Sequence, residues 1–153
     1  MPFVELLLSE TELEKPSPVP AGNYTFQVQP GAEWKDSKFG KDISGEPIKE
    51  LNVRFDIVDG EYAGRPVFVR YPDPKAVSSK GKALTFSAQA LKKLEIALGT
   101  DAMPGEGTAA YLNRVATSGN NRFGAAMLPG KYIKTGETEP EIEFGIFTVH
   151  PAA

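Results

Sequence analysis

Three stretches of the chain alternate apolar and polar residues with a period of two. That spacing turns one face of a β-strand toward a core. Tyr24, Phe26 and Val28 alternate with Asn23, Thr25, Gln27 and Gln29. Leu51, Val53, Phe55 and Ile57 alternate with Glu50, Asn52, Arg54 and Asp56, the clearest strand in the sequence. From Arg65 to Tyr71, Val67, Val69 and Tyr71 take one face, and Pro66, Phe68 and Arg70 the other. Pro66 suits a strand start or a sheet edge, because it has no N–H to give a ladder. Asp59-Gly60-Glu61-Tyr62-Ala63-Gly64 turns the second strand into the third. Between the first and second, Pro30 to Lys49 reads as a long loop, and loops of that length are usually functional or disordered.

The period then changes to that of a helix. Ala90, Leu91, Leu94, Ala97 and Leu98 make an apolar stripe, Thr85 or Ser87 can cap it, and Gly99 is placed to end it. Residues 100–118 read as loop with a short helix at Ala109–Ala116. Arg122 to Leu128 predicts a fourth strand and Pro129-Gly130 a turn. Glu141 to Val149 predicts the last strand, where Ile142, Phe144 and Ile146 keep one parity and Phe147 and Val149 the other. That switch implies a bulge near Gly145-Ile146. The order is three strands, a helix, then two strands: mainly β with one helix. A five-stranded, partly closed barrel of the OB-fold kind, with the helix between strands 3 and 4, fits it. A mixed α+β sheet and a small sandwich fit it too. Residues 1–20 form an extended acidic arm ending in Pro16-Ser17-Pro18-Val19-Pro20, and 21–153 a single domain.

Composition narrows the class. With 153 residues, 41% hydrophobic and 24% charged, the chain is long enough for one core and ordinary for a globular domain. The absence of cysteine removes disulfides and thiolate metal sites together. The apolar run Phe3-Val4-Glu5-Leu6-Leu7-Leu8 is too short to span a bilayer and lacks the basic start of a signal peptide. A cytoplasmic protein with no membrane partner is expected. The single histidine, His150, gathers no nucleophile or acid around it in sequence, and no phosphate-binding glycine loop is present. No catalytic residue, no cofactor and no metal is therefore assigned. Glu137, Glu139, Glu141 and Glu143 share a parity, which suits a solubilised edge strand better than a cation site.

Charge changes the picture. The chain carries −3 overall, yet Arg65, Arg70, Lys75, Lys80, Lys82, Lys92 and Lys93 face only Asp73 within 65–93. A local basic surface on an acidic protein points to an anion held at one face. The segment Glu33-Trp34-Lys35-Asp36-Ser37-Lys38-Phe39-Gly40-Lys41 adds lysines and the only tryptophan. Cationic side chains for phosphate and exposed rings for bases are the chemistry that grips single strands without reading sequence. The candidate binding residues are Trp34, Lys35, Lys38, Phe39, Lys41, Arg54, Arg65, Phe68 and Arg70. Trp34, Phe39 and Phe68 are the stacking candidates. Arg54, on the polar face of its strand, is expected to point freely into a groove.

Several of these segments, taken in order, resemble the single-stranded-DNA-binding proteins of bacteriophages, a divergent OB-fold family often encoded beside replication and recombination genes. The resemblance lies in Val19-Pro20-Ala21-Gly22-Asn23-Tyr24, in Lys38–Lys41, and in Leu51–Val58 running into Gly60-Glu61-Tyr62-Ala63-Gly64-Arg65. It continues in the helix ending Ala97-Leu98-Gly99 and the closing strand ending at Pro151. It implies a non-catalytic protein in the host cytoplasm that binds single-stranded DNA across a barrel face. It leaves a homo-oligomer and phage replication or recombination proteins as open partners. The acidic C-terminal tail of many bacterial relatives is missing, since the chain ends His150-Pro151-Ala152-Ala153. A competing expectation is a virion structural protein, a capsid decoration or cement protein, whose N-terminal arm docks on a neighbouring subunit.

Overall fold

A computed structural model describes residues 19–78, 80, 81, 83–130 and 141–152, apart from the side chains of Lys38 and Phe39. Residues 1–18, the bulk of the expected arm, and Glu137 and Glu139 lie outside the described residues. Among the described residues, seven strands form one antiparallel sheet: β1 (Gly22–Val28), β2 (Glu33–Lys41), β3 (Pro47–Ile57), β4 (Pro66–Pro72), β5 (Arg122–Pro129), β6 (Ile142–Phe144) and β7 (His150–Pro151). Two helices, α1 (Thr85–Leu98) and α2 (Thr108–Ala116), fall between β4 and β5. The described residues are thus mainly β with two helices rather than one. The sheet runs β2-β3-β1-β5-β6, with β4 on the other edge of β3 and β7 on β5. Among the described residues no pairing joins β4 to β6 or β7, so the sheet stays open.

The expected loop at 30–49 is mostly strand. β1 and β2 pair with the same edge of β3, Val28 beside Phe55 and Glu33 beside Asn52, so they act as one run broken at Gln29–Ala32. Its alternation is hidden because β2 is charged on both faces, leaving Trp34 as its one apolar residue before Phe39. The break is held by α2. Asn113 Oδ1 accepts hydrogen bonds from the N–H groups of Gly31 (2.8 Å) and Ala32 (2.9 Å), while its Nδ2 donates to the Ala32 carbonyl (3.0 Å). Gly31 sits at φ 107°, a conformation that side chains resist.

The core lies between the inner face of the sheet and the helices. Phe26, Phe55, Phe123 and Phe144, from four different strands, pack edge-on and stacked with ring centroids 4.9–6.2 Å apart. Ala90, Leu94, Ala97 and Leu98 of α1 and Tyr111, Leu112 and Val115 of α2 close the other side. Gly99 ends α1 in the left-handed conformation as the sequence predicts. The start differs: Leu84 occupies the cap position with no side-chain bond, and Ser87, expected as a possible cap, is buried with its hydroxyl unpartnered. The last strand is split, because the slip between Phe144 (beside Met127) and His150 (beside Gly124) leaves a turn at Ile146-Phe147. There Thr148 Oγ1 accepts from the Ala126 N–H at 2.8 Å, and the Gly145 N–H donates to the Ala126 carbonyl.

Asn113→Ala should lower unfolding stability by about 1–3 kcal/mol, since two backbone N–H groups at the bend lose their acceptor. Chemical denaturation checks this, and an unchanged midpoint would show that the bend holds without the clamp.

The approach to α2 is fixed by an ion pair. Arg114 Nε and Nη2 each donate to Glu106 at 2.8 Å, and Glu106 also accepts the Met103 N–H. These bonds, the Arg114 pair first, hold the Glu106 carboxyl at about 2, down from 4.5. A depressed folded value means that the stabilisation is complete above 4.5 and is lost as pH falls toward 2. The melting temperature should therefore drop through that window, and Glu106→Gln should flatten part of the slope in a pH series.

Candidate nucleic-acid interface

Residues paired across antiparallel strands point to the same face. On the outer face of the sheet, Arg54 stands beside Phe68, Asn52 beside Arg70, Asp56 beside Pro66 and Glu50 beside Pro72. β2 extends these rows, with Glu33 beside Asn52 and Lys35 beside Glu50. β1 and β5 extend the face the other way, placing Gln27 beside both Asp56 and Arg122. Lys35, Arg54, Phe68 and Arg70 therefore share one face, as the strand parities predict for the last three. Arg122 joins them, and its Nε donates to Gln27 Oε1 at 3.3 Å. Nothing in the local sequence marked Arg122, because its place depends on the pairing of two distant strands.

Phe68 is the most informative member. Its ring is 73% exposed in the middle of a strand whose alternate residues, Val69 and Tyr71, are buried. Directly across the ladder lies Arg54, and Arg70 follows two positions along. Arg54 does not point freely outward: its Nε and Nη2 bind the two oxygens of Asp56 at 2.8 and 3.2 Å. That hydrogen bond, with the charge behind it, raises the Arg54 pKa further and ties the guanidinium to Asp56 on the same strand. Lys35 pairs with Glu33 at 3.0 Å, and Arg70 approaches Glu50 at 3.9 Å. Four cations (Lys35, Arg54, Arg70, Arg122) and four carboxylates (Glu33, Glu50, Asp56 and, beside Leu128 of β5, Glu143) share the face, so among the described residues of these strands it carries no net charge. The surface combines an exposed ring with cations fixed at known spacing.

The other candidates lie elsewhere. Trp34 pairs with Leu51 and so turns to the opposite, inner face, where it stays 39% exposed. Lys41 pairs with Pro47 at the hairpin end, seven residues along β3 from Arg54 and so roughly 23 Å away. Arg65 lies in the turn before β4, where its backbone bonds Tyr62 and Ile57, and its side chain is half-buried. The side chains of Lys38 and Phe39 lie outside the described residues. Lys92 pairs with Glu95, and Lys93 donates to the Phe147 carbonyl, so both belong to the solvated face of α1. Among the described residues, no three His, Cys, Asp or Glu side chains stand together as a metal site, and no helix is long and apolar enough to cross a membrane.

Comparison of the chain with protein-family models, with curated proteins and with solved structures found no match.

The face assignment has a direct stability signature. Phe68→Ala should change stability by less than about 0.5 kcal/mol, whereas Phe55→Ala, one position along β3 on the buried face, should cost about 3–5 kcal/mol. Urea unfolding of the two variants checks the pair, and a large loss for Phe68→Ala would reverse the assignment.

Proposed function

We propose that this chain is a non-catalytic, largely sequence-independent single-stranded-DNA-binding protein that acts in phage DNA replication or recombination. The observation that carries the reading is the exposed Phe68 ring between Arg54 and Arg70 on an open sheet face. A nucleobase stacked on the exposed ring would remove both π-faces from water, and the two arginines beside it are what would set Phe68 apart from other exposed apolar side chains. The neighbouring guanidiniums stand where a phosphate backbone could exchange their carboxylate partners.

The strand order supports the same reading. With β1 and β2 taken as one bent run and β6 and β7 as one interrupted run, five strands remain, with the helices between the third and fourth. Grouped in this way, the order would fit an OB-fold, whose second and third strands carry the nucleic-acid-binding face. Here those strands are β3 and β4, the ones that carry Arg54, Phe68 and Arg70. The resemblance to phage single-stranded-DNA-binding proteins points the same way.

Anisotropy of labelled oligo-dT tests the proposal. With four phosphate contacts on a single strand, affinity should fall about fiftyfold between ~50 and ~200 mM salt. Phe68→Ala should weaken binding by roughly 5- to 150-fold, the equivalent of one stacked base. Absence of binding at the lower salt, or a Phe68→Ala variant that binds as tightly as the parent, would reject the reading.

A further inference from the structure

Trp34 opens into a cleft of about 450 Å³ on the inner side of the sheet, away from the Phe68 face. Three elements wall it: Trp34 of β2 with Lys49 of β3, the turn Asp73-Pro74-Lys75 after β4, and Gly107-Thr108 at the start of α2. Its size falls within the roughly 300–1,000 Å³ typical of small-molecule sites. The turn is braced across the sheet end, since the Asp73 N–H donates to the Lys49 carbonyl at 2.8 Å and Asp73 Oδ1 accepts the Lys75 N–H at 2.9 Å. The turn is therefore tied to β3 by a backbone bond rather than merely adjacent to it.

The chemistry of the lining is specific. A half-exposed indole offers a flat π-face, and Pro74 offers a second apolar surface. Two ammonium groups, Lys49 and Lys75, accompany one carboxylate, Asp73. Lys49 is also bound to Asp36 on β2, so it is held near the indole. Lys75 is exposed and takes part in no ion pair among the described residues. A ligand that fits must be flat and aromatic at one end and anionic at the other, with a hydrogen-bond donor for Asp73. A purely apolar ligand would leave the Lys75 ammonium unmatched, and a bare anion would leave the indole unused.

The geometry points to this cleft as a site for one nucleotide unit, with its base against Trp34 and its phosphate between Lys75 and Lys49. The unit is either a free nucleoside monophosphate or a single residue of a bound strand. The inference does not rest on the Phe68 face: the two sites lie on opposite faces of the sheet and share no residue.

Trp34 is the only tryptophan, so its emission reports this cleft alone. The test is a titration of the full chain with dTMP, thymidine and inorganic phosphate, read by tryptophan emission, with oligo-dT anisotropy measured separately. Saturable quenching by dTMP is expected, with thymidine and phosphate each much weaker. Lys75→Ala, a surface change whose folding is checked by circular dichroism, should weaken dTMP about tenfold. Competition between oligo-dT and dTMP for the quench would assign the site to a strand residue. Quenching by dTMP that oligo-dT neither matches nor displaces would assign it to a free nucleotide. Unchanged emission with dTMP, or equal response to dTMP and phosphate, would overturn the inference. Neither of those results bears on strand binding at Phe68, which anisotropy and Phe68→Ala read independently.

Discussion

The arrangement depends on a small constraint, the grip of the Asn113 amide on the bend at Gly31 and Ala32. A strand twenty residues long cannot follow a curved sheet without a break, and a break exposes backbone donors that need partners. One side chain on α2 satisfies two of them and returns a bond to the Ala32 carbonyl. This fixes the bend and also ties α2 to the sheet. Because α2 is held there, Gly107 and Thr108 come to stand over Trp34. The same contact therefore shapes the strand run and places a wall of the inner cleft.

The size of each slip in strand pairing decides which face its residues take. Between Val28 and Glu33 the pairing with β3 slips by two, an even step that preserves alternation. Trp34 thus stays on the inner face with Phe26 and Val28. Between Phe144 and His150 the pairing with β5 slips by three, an odd step that exchanges the faces. Phe144 and Val149, of opposite parity, can then both pack on the core. The sequence predicts this exchange near Gly145, where an apolar residue changes parity. An even slip leaves no such mark.

That contrast explains what could be read in the chain. β3 and β4 are legible because one face is apolar and the other is not, and the outward placement of Arg54, Phe68 and Arg70 follows from the same alternation. β2 is not legible, because Glu33, Lys35 and Asp36 put charge on both sides of Trp34. α2 is legible as the short helix at Ala109–Ala116, one residue inside its observed start at Thr108. The start of α1 misleads, since Ser87 looks like a cap but faces the core. Arg122 shows the remaining limit: its membership of the outer face depends on Gln27, 95 residues away, and no local pattern carries that pairing.

The pairing of charges on the outer face has a consequence for how it could hold a polyanion. Lys35, Arg54 and Arg70 each have a carboxylate close by, so the face has little long-range field, and screening by salt would shorten its reach further. Surface pairs of this kind contribute little to stability, so exchanging a carboxylate for a phosphate costs little. Steering from a distance is then weak, and in the proposed reading the Asp56-bound Arg54 beside Phe68 would favour a partner that brings a base and a phosphate together. In the proposed reading, stacking would carry a larger share of the affinity than it does on a strongly basic surface. Polyanions without bases, such as a sulfated polysaccharide, would compete poorly for such a face, because they satisfy the cations but leave the ring in water.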